Sequence, residues 1–295
     1  MADYTIFTDA ATDLPLEWYD RYKIQGVSME YTLSDVTKTL LPGEVEIDKI
    51  CDSFYDDLRA GAKTSTTQAT PYKYIEAFSP VLEAGNDILY CCFSSGMSGT
   101  WHNALLAREL LKEQYPERTI CCVDTLSSSA GQGLIVIQAA ALRERGMSLE
   151  ENALWLETHT QNMNHWFLVD DLDFLKRGGR ISPTVAFLGG KLQIKPILTI
   201  APDGKLVIAE KIRGRTQSME RLVKLFQDNS DFQDVPPVVL LNHAGCPKDG
   251  ALLADMVREA APPDVQVFVT PLSPFIGAHT GPGMLSVCFW GKSRV

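Results

Sequence analysis

Two uninterrupted apolar runs, Asp87–Phe93 (Asp-Ile-Leu-Tyr-Cys-Cys-Phe) and Thr119–Val123 (Thr-Ile-Cys-Cys-Val), constrain this chain more than any other feature. A strand with one face in water alternates polar and apolar residues. A run without alternation suits a strand covered on both faces, as in a parallel sheet layered with helices. Helix-like segments fill the intervals. Ile47–Leu58 places Ile50, Phe54 and Leu58 on one face, and Pro71–Leu82 opens on a proline suited to a first helical turn. Trp101–Lys112 and Gly131–Arg145 follow, and Tyr4–Phe7 supplies an earlier strand ending in Thr8-Asp9. Strand and helix in alternation predict a doubly wound α/β layer.

Beyond residue 160 the pattern changes. His165–Val169 reads as a strand and Leu172–Lys176 as a short helical segment. Ile197–Ile200 and Lys205–Ile212 flank Ala-Pro-Asp-Gly, which is hairpin chemistry. Val238–Asn242, Val265–Val269 and Met284–Trp290 are further strands, with helices over Thr216–Gln227 and Asp249–Ala260. This is an α+β pattern with a partly antiparallel, mixed sheet. The chain of 295 residues divides into an N-terminal α/β domain, 1–160, and a C-terminal α+β domain, 161–295.

Charge narrows the function. The net charge of −10 disfavours general binding to nucleic acid or to anionic membranes. The longest apolar stretch, Gly133 to Leu142, falls well short of the ~20 residues a bilayer span needs. The first residues carry no basic segment followed by an apolar one, so no signal peptide is expected. Seven cysteines, with vicinal pairs at Cys91-Cys92 and Cys121-Cys122 inside apolar runs, read as reduced core thiols of a cytoplasmic protein. Against the acidic background, residues 176–215 hold nine basic and only two acidic residues. A basic island of this kind suits an anionic ligand or partner surface, or else a solvated face with acids opposite it.

Four segments could carry chemistry. Phe93-Ser94-Ser95-Gly96-Met97-Ser98-Gly99-Thr100 joins a strand to a helix, where hydroxyls, backbone N–H groups and a helix N-terminus can converge on a carboxylate or phosphate. Thr64-Ser65-Thr66-Thr67-Gln68-Ala69-Thr70-Pro71 holds five hydroxyls in seven residues ahead of a helix and reads as a polar turn. Lys176-Arg177-Gly178-Gly179-Arg180-Ile181-Ser182 allows close backbone approach and offers Arg180 as a planar fork. Gly277-Ala278-His279-Thr280-Gly281-Pro282-Gly283 sets a histidine in a glycine-rich loop. No nucleophile elbow, Walker loop or dinucleotide fingerprint is present, and no His or Cys pair has zinc-ligand spacing. Asp9, Asp13 and Asp124 lie near strand ends, where capping competes with Mg²⁺ binding. An enzyme using Ser94, Ser95 or Ser98 with His279 stays open, as does a scaffold that binds through the basic island.

Taken in order, these segments resemble the DegV family of bacterial fatty-acid-binding proteins over nearly the whole chain. Thr8-Asp9-Ala10-Ala11-Thr12-Asp13-Leu14-Pro15 is similar to the family's opening motif. Thr66-Thr67-Gln68-Ala69-Thr70-Pro71 is similar to its Thr-Ser-Gln-Pro-Ser-Pro stretch. Ser94 to Thr100, Leu175 to Ser182, Ile194-Lys195-Pro196-Ile197-Leu198, Arg213-Gly214-Arg215 and His279 to Gly283 match in turn. The resemblance implies a two-domain fold with a long-chain fatty acid buried between the domains and no further cofactor. It implies that Thr66, Ser94 or Ser95, Arg180 and His279 hold the carboxylate. It also implies that the chain is not an enzyme by itself but the lipid-carrying subunit of a fatty acid kinase, with a separate catalytic subunit as partner. On that reading His279 and Arg213 take part in acyl phosphate formation. Ile181, Val185, Phe187, Leu188, Leu192, Ile194 and Ile197 are available to line an acyl tunnel. Burial of each CH₂ contributes about 0.8 kcal/mol, while the ionised head group needs partners.

Overall fold

A computed structural model of the chain describes residues 4–45, 47–170, 172–182 and 193–294. The N-terminal half is built on an all-parallel sheet in the order β2-β1-β6-β7. Its strands are β1 (Tyr4–Asp9), β2 (Ile24–Val27), β6 (Asp87–Cys92) and β7 (Ile120–Asp124). The two apolar runs are β6 and β7. Helices α3 (Pro71–Glu83) and α4 (Thr100–Gln114) cover one face of the sheet. Helices α5 (Ser129–Glu144) and α6 (Leu149–His159) cover the other. A capping box between Ser148 and Glu151 starts α6.

Residues 16–67 contain the helix expected over Ile47–Leu58 and add elements too short or too polar to show in the sequence pattern. Helices α1 (Leu16–Arg21) and α2 (Ile47–Arg59) accompany a small antiparallel sheet, β4-β3-β5. Its strands are β3 (Met29–Leu33), β4 (Val36–Leu40) and β5 (Thr64–Thr67). The hydroxyl-rich segment read as a turn is therefore a strand. Pairing of β5 with β3 sets Thr66 opposite Tyr31, and the two-residue period puts Thr64 and Thr66 on the more buried face.

The C-terminal sheet is mixed, in the order β10-β9-β8-β13-β11-β12. It comprises β8 (Met163–Leu168), β9 (Ile194–Ile200), β10 (Leu206–Arg213), β11 (Val238–His243), β12 (Gln266–Pro271) and β13 (Leu285–Trp290). All neighbours are antiparallel except β11 and β12, which α9 (Pro247–Ala260) links as a crossover. Helix α7 (Asp173–Arg177) follows β8, α8 (Arg215–Asn229) follows β10, and α10 (Pro274–Thr280) precedes β13. The chain is thus an N-terminal parallel-sheet α/β layer joined to a mixed-sheet α+β layer.

Helix α5 joins the two layers. It contacts β1 and β6 of one sheet and β8, β11 and β13 of the other. Every residue from Ser129 to Ala140 is buried, which is why this stretch is apolar nearly all round. Its first turn carries a polar seam. Ser129, at φ +52°, places Oγ 2.5 Å from Asp13 Oδ2 and 2.7 Å from Asn242 Oδ1. The Ala130 N–H donates to the same Asn242 oxygen at 3.1 Å, and Asn242 Nδ2 donates to Thr270 Oγ1 at 2.7 Å. The Asn242 amide is therefore oriented by its neighbours. One hydroxyl hydrogen cannot serve two acceptors. A protonated Asp13 that donates to Ser129, which in turn donates to Asn242, satisfies the whole chain.

Burial pushes the Asp13 carboxyl up to about 6, against hydrogen bonds that favour the charged form, that of the Ser273 N–H among them. An acid with a higher pKa folded than unfolded stabilises the fold in its protonated state. That contribution is complete below about 4 and is lost as pH rises through about 6. Asp13→Asn mimics the protonated carboxyl. The denaturation midpoint of the variant relative to the parent should rise between pH 4 and pH 7, by the equivalent of about 2 kcal/mol. A difference that stays flat with pH would show that Asp13 does not titrate there.

Candidate ligand-binding site

In open α/β sheets, ligands favour the crevice where strand order reverses. Here that point lies between β1 and β6, and Asp9 fills it. Its carboxylate accepts from Tyr90 Oη (2.7 Å), the Phe93 N–H (2.9 Å), the Ala11 N–H (3.0 Å) and Gln132 Nε2 (3.1 Å). Asp124 is likewise occupied, accepting the Ser95 and Leu126 N–H groups at 3.1 Å each. With Asp13 held in the seam, all three carboxylates weighed against Mg²⁺ serve as structural acceptors. No cluster of three metal-ligating side chains occurs among the described residues.

The open space lies beside this crevice, between the two layers. A cavity of about 510 Å³ runs from the loop after β6 to the inner face of the C-terminal sheet. Phe93, Phe167, Ile200, Leu206, Phe275 and Met284 provide apolar wall. Thr66, Ser95, Arg180 and His279 all line it, and they arrive from four different elements. The structure therefore brings together four of the residues singled out in the sequence, from segments up to 213 positions apart.

Their geometry is specific. Thr66 Oγ1 and His279 Nε2 are 2.7 Å apart. His279 stands in the last turn of α10, rather than in a loop as its glycine-rich context suggested. Gly178 permits this position, because a Cβ there would lie 2.3 Å from His279 Nδ1. Gly281, at φ +74°, ends the helix where a Cβ would strike the Phe174 ring. Burial, with the Arg180 guanidinium adding to it, holds the His279 imidazole down to about 4. The ring is therefore neutral near pH 7, and among the described residues that line the cavity Arg180 carries the positive charge. Arg180 itself donates to the Gly178 carbonyl. His279 Nδ1 has no partner that would orient the ring as a general base, which weighs against a nucleophile–histidine pair.

Ser94 and Ser95 separate cleanly. Ser95 is exposed to the cavity. Ser94 is fully buried and does not line it; its hydroxyl donates to the Gly204 carbonyl at 2.8 Å. This bond ties the β6–α4 loop to the β9–β10 hairpin. The contact is close enough that a Cβ on Gly96 would lie 2.5 Å from the Asp203 carbonyl oxygen. Arg213 is exposed at the end of β10, opposite Ile194, and lies outside the cavity wall. Part of the basic island is neutralised: Lys195 and Arg215 pair with Asp170, Arg215 also with Asp249, and Lys205 with Asp203. Of the residues read as tunnel wall, Ile181 is buried in the core beside the cavity, whereas Ile197 faces α8 and α9 on the other side of the sheet. Val185, Phe187, Leu188 and Leu192 lie outside the described residues. His165, Ser128, Ser129, Ser286 and Cys288 also line the cavity and were not singled out, because each reads alone as a core or cap residue.

Comparison with known proteins bears on the family and the fold. The family model for DegV proteins, described as uncharacterised, matches residues 3–292. The chain belongs to the DegV family. A DegV domain-containing protein of Clostridium perfringens is 36% identical over 297 residues, covering 100% of this chain and 99% of its own. Among solved structures, a fatty-acid-binding DegV family protein from Thermus thermophilus superposes with a TM-score of 0.84 at 29% identity, over 98% of this chain and 100% of its own. DegV of Bacillus subtilis, described as a fatty acid binding protein, gives 0.83 at 25% identity, over 99% and 100%. This DegV protein shares their two-layer architecture along its length.

Two predictions test the geometry. Ser94→Ala should lower stability by about 1–3 kcal/mol, because the Gly204 carbonyl loses its donor, while Ser95→Ala should leave stability within about 0.5 kcal/mol. Chemical denaturation of both variants checks this. In Arg180→Met the His279 imidazole, followed by NMR titration, should titrate above about 4 yet below its ordinary value, since burial is the larger cause. An unmoved titration would place Arg180 too far from the ring to act on it.

Proposed function

We propose that this DegV protein holds a long-chain fatty acid in the 510 Å³ cavity, its carboxylate paired at the Thr66–His279 end and its chain against the apolar wall. One observation carries the reading. Thr66 from one layer meets His279 from the other, with Arg180 near the ring, at one end of a cavity whose side wall is largely apolar, which is what a buried ionised head group on an apolar tail requires. Thr66, Ser95 and Arg180 supply O–H and guanidinium donors. His279, neutral when alone, gains a proton more readily once a carboxylate sits beside it. The fatty acids bound by the Thermus and Bacillus relatives support the same ligand class.

We further propose that the bound acid is presented to a separate kinase subunit. A carboxylate oxygen would attack the terminal phosphorus of a nucleoside triphosphate held by that partner. The new P–O bond gives an acyl phosphate as the bond to the diphosphate breaks. This chain contributes no nucleotide loop and no cofactor of its own. Its role is to position the carboxylate through Thr66 and His279 and to offer exposed basic residues, Arg213 among them, to the partner's phosphates. Seven free cysteines suit the cytoplasm, and no helix among the described residues is long and apolar enough to cross a membrane.

Mass spectrometry of the denatured purified protein should release a long-chain fatty acid at near one equivalent. Thr66→Val and His279→Ala should each lower that content. Arg213→Ala should keep the lipid and lose acyl phosphate formation with the kinase subunit. A protein that releases no lipid and retains none when supplied with it would sink the reading. Loss of lipid in Arg213→Ala would move that residue into the pocket.

A further inference from the structure

The end of the cavity remote from His279 is polar, and one member of it is unusually costly to bury. His165 is 3% exposed, and neither ring nitrogen makes a hydrogen bond of good geometry; the backbone at Met163 and Ser128 lies near the ring without closing one. Burial holds the ring neutral, so it carries one donor and one acceptor. A buried polar group without partners costs about 1–3 kcal/mol and calls for a reason. The fold makes room for this ring. A Cβ on Gly131, in the first turn of α5, would lie 1.9 Å from His165 Nε2.

The register locates this end. Met284 lines the cavity just before β13, close in the chain to His279. Ser286 and Cys288 follow on the same strand face, with His165 opposite Cys288. Four strand residues span roughly 13 Å, so the His165–Cys288 level lies about that far along the sheet from Met284. Ser128 stands there as the N-terminal residue before α5 and makes no side-chain cap bond, which leaves its hydroxyl available. Apolar side chains at this level would seal a plain hydrocarbon tail more favourably.

Building on the proposed fatty-acid reading, we infer that the far end of the cavity is a second polar subsite, made by His165 and Ser128, that selects acyl chains carrying a hydroxyl group in their distal half. A chain hydroxyl donates one hydrogen bond and accepts others, which matches a neutral imidazole beside a serine hydroxyl. Arg180 and His279 hold the carboxylate, so the distance between the two polar ends fixes which chain position is recognised.

The test is a competition on delipidated full-length protein. Hexadecanoic acid is mixed with equimolar hydroxyhexadecanoic acids that carry the hydroxyl at each distal position in turn, and the retained lipid is quantified by mass spectrometry after denaturation. One or two adjacent isomers should outcompete hexadecanoic acid by roughly five- to tenfold. His165→Leu should abolish that preference, so that hexadecanoic acid and its hydroxy isomers are retained in equal proportion. Ser128→Ala, which leaves the ring in place, should reduce it and serves if the leucine variant does not fold. Equal retention of all acids, or a preference for hexadecanoic acid over every isomer, overturns the subsite and leaves the fatty-acid reading intact. Failure of hexadecanoic acid itself to bind overturns both.

Discussion

The cost of leaving a polar group unpaired away from water governs how the two layers of this protein meet. Helix α5 is buried against both sheets, so its first-turn N–H groups and the serines there have no solvent to turn to. Partners come from both layers: Asn242 of the C-terminal sheet for Ala130 and Ser129, and the Ala11 carbonyl after β1 for the Ser129 N–H. Asp13 completes the set through Ser129, and its other carboxyl oxygen accepts the Ser273 N–H at 3.0 Å. Because these bonds are directional, they fix the relative placement of the layers more tightly than apolar contact would. The cavity is what remains beside that seam.

The same accounting explains why the binding site sits at a strand end and yet not in the sheet's own crevice. Asp9 occupies the switch point between β1 and β6 with four donors around it. A ligand is left with the adjoining space, bounded on the far side by the C-terminal sheet. The glycines of the motifs belong to this closure. Gly96 and Gly204 let the β6–α4 loop and the β9–β10 hairpin touch backbone to backbone, while Gly178 lets His279 enter. Their value lies in the Cβ they lack. A motif such as Ser94 to Thr100 thus mixes two duties: Ser94 holds the layers together, and Ser95 faces the space between them.

Much of the architecture was readable from periodicity. The β6 and β7 runs announced strands covered on both faces, and Gly133 to Leu142 proved apolar because α5 is buried by both sheets. The small β4-β3-β5 sheet was not readable, since a four-residue strand of hydroxyl residues looks like a turn until β3 pairs with it. His279 looked like a loop residue because Pro274 and Gly281 frame a helix of only seven residues. Short elements have too few positions for a period to show.

The sequence by itself determined the layer classes, the burial of α5 and the set of polar segments available for a site. These are properties of residue order and side-chain type, which act locally along the chain. Only the tertiary structure decided that Thr66 meets His279, that Ser94 turns away while Ser95 faces the cavity, and that Arg213 stays outside. Those outcomes depend on strand register, and the first two on contacts between residues more than a hundred positions apart. His165 shows the limit most clearly. Alone in β8 it reads as a core histidine, and it becomes part of a ligand cavity only when Cys288 and the start of α5 are folded against it.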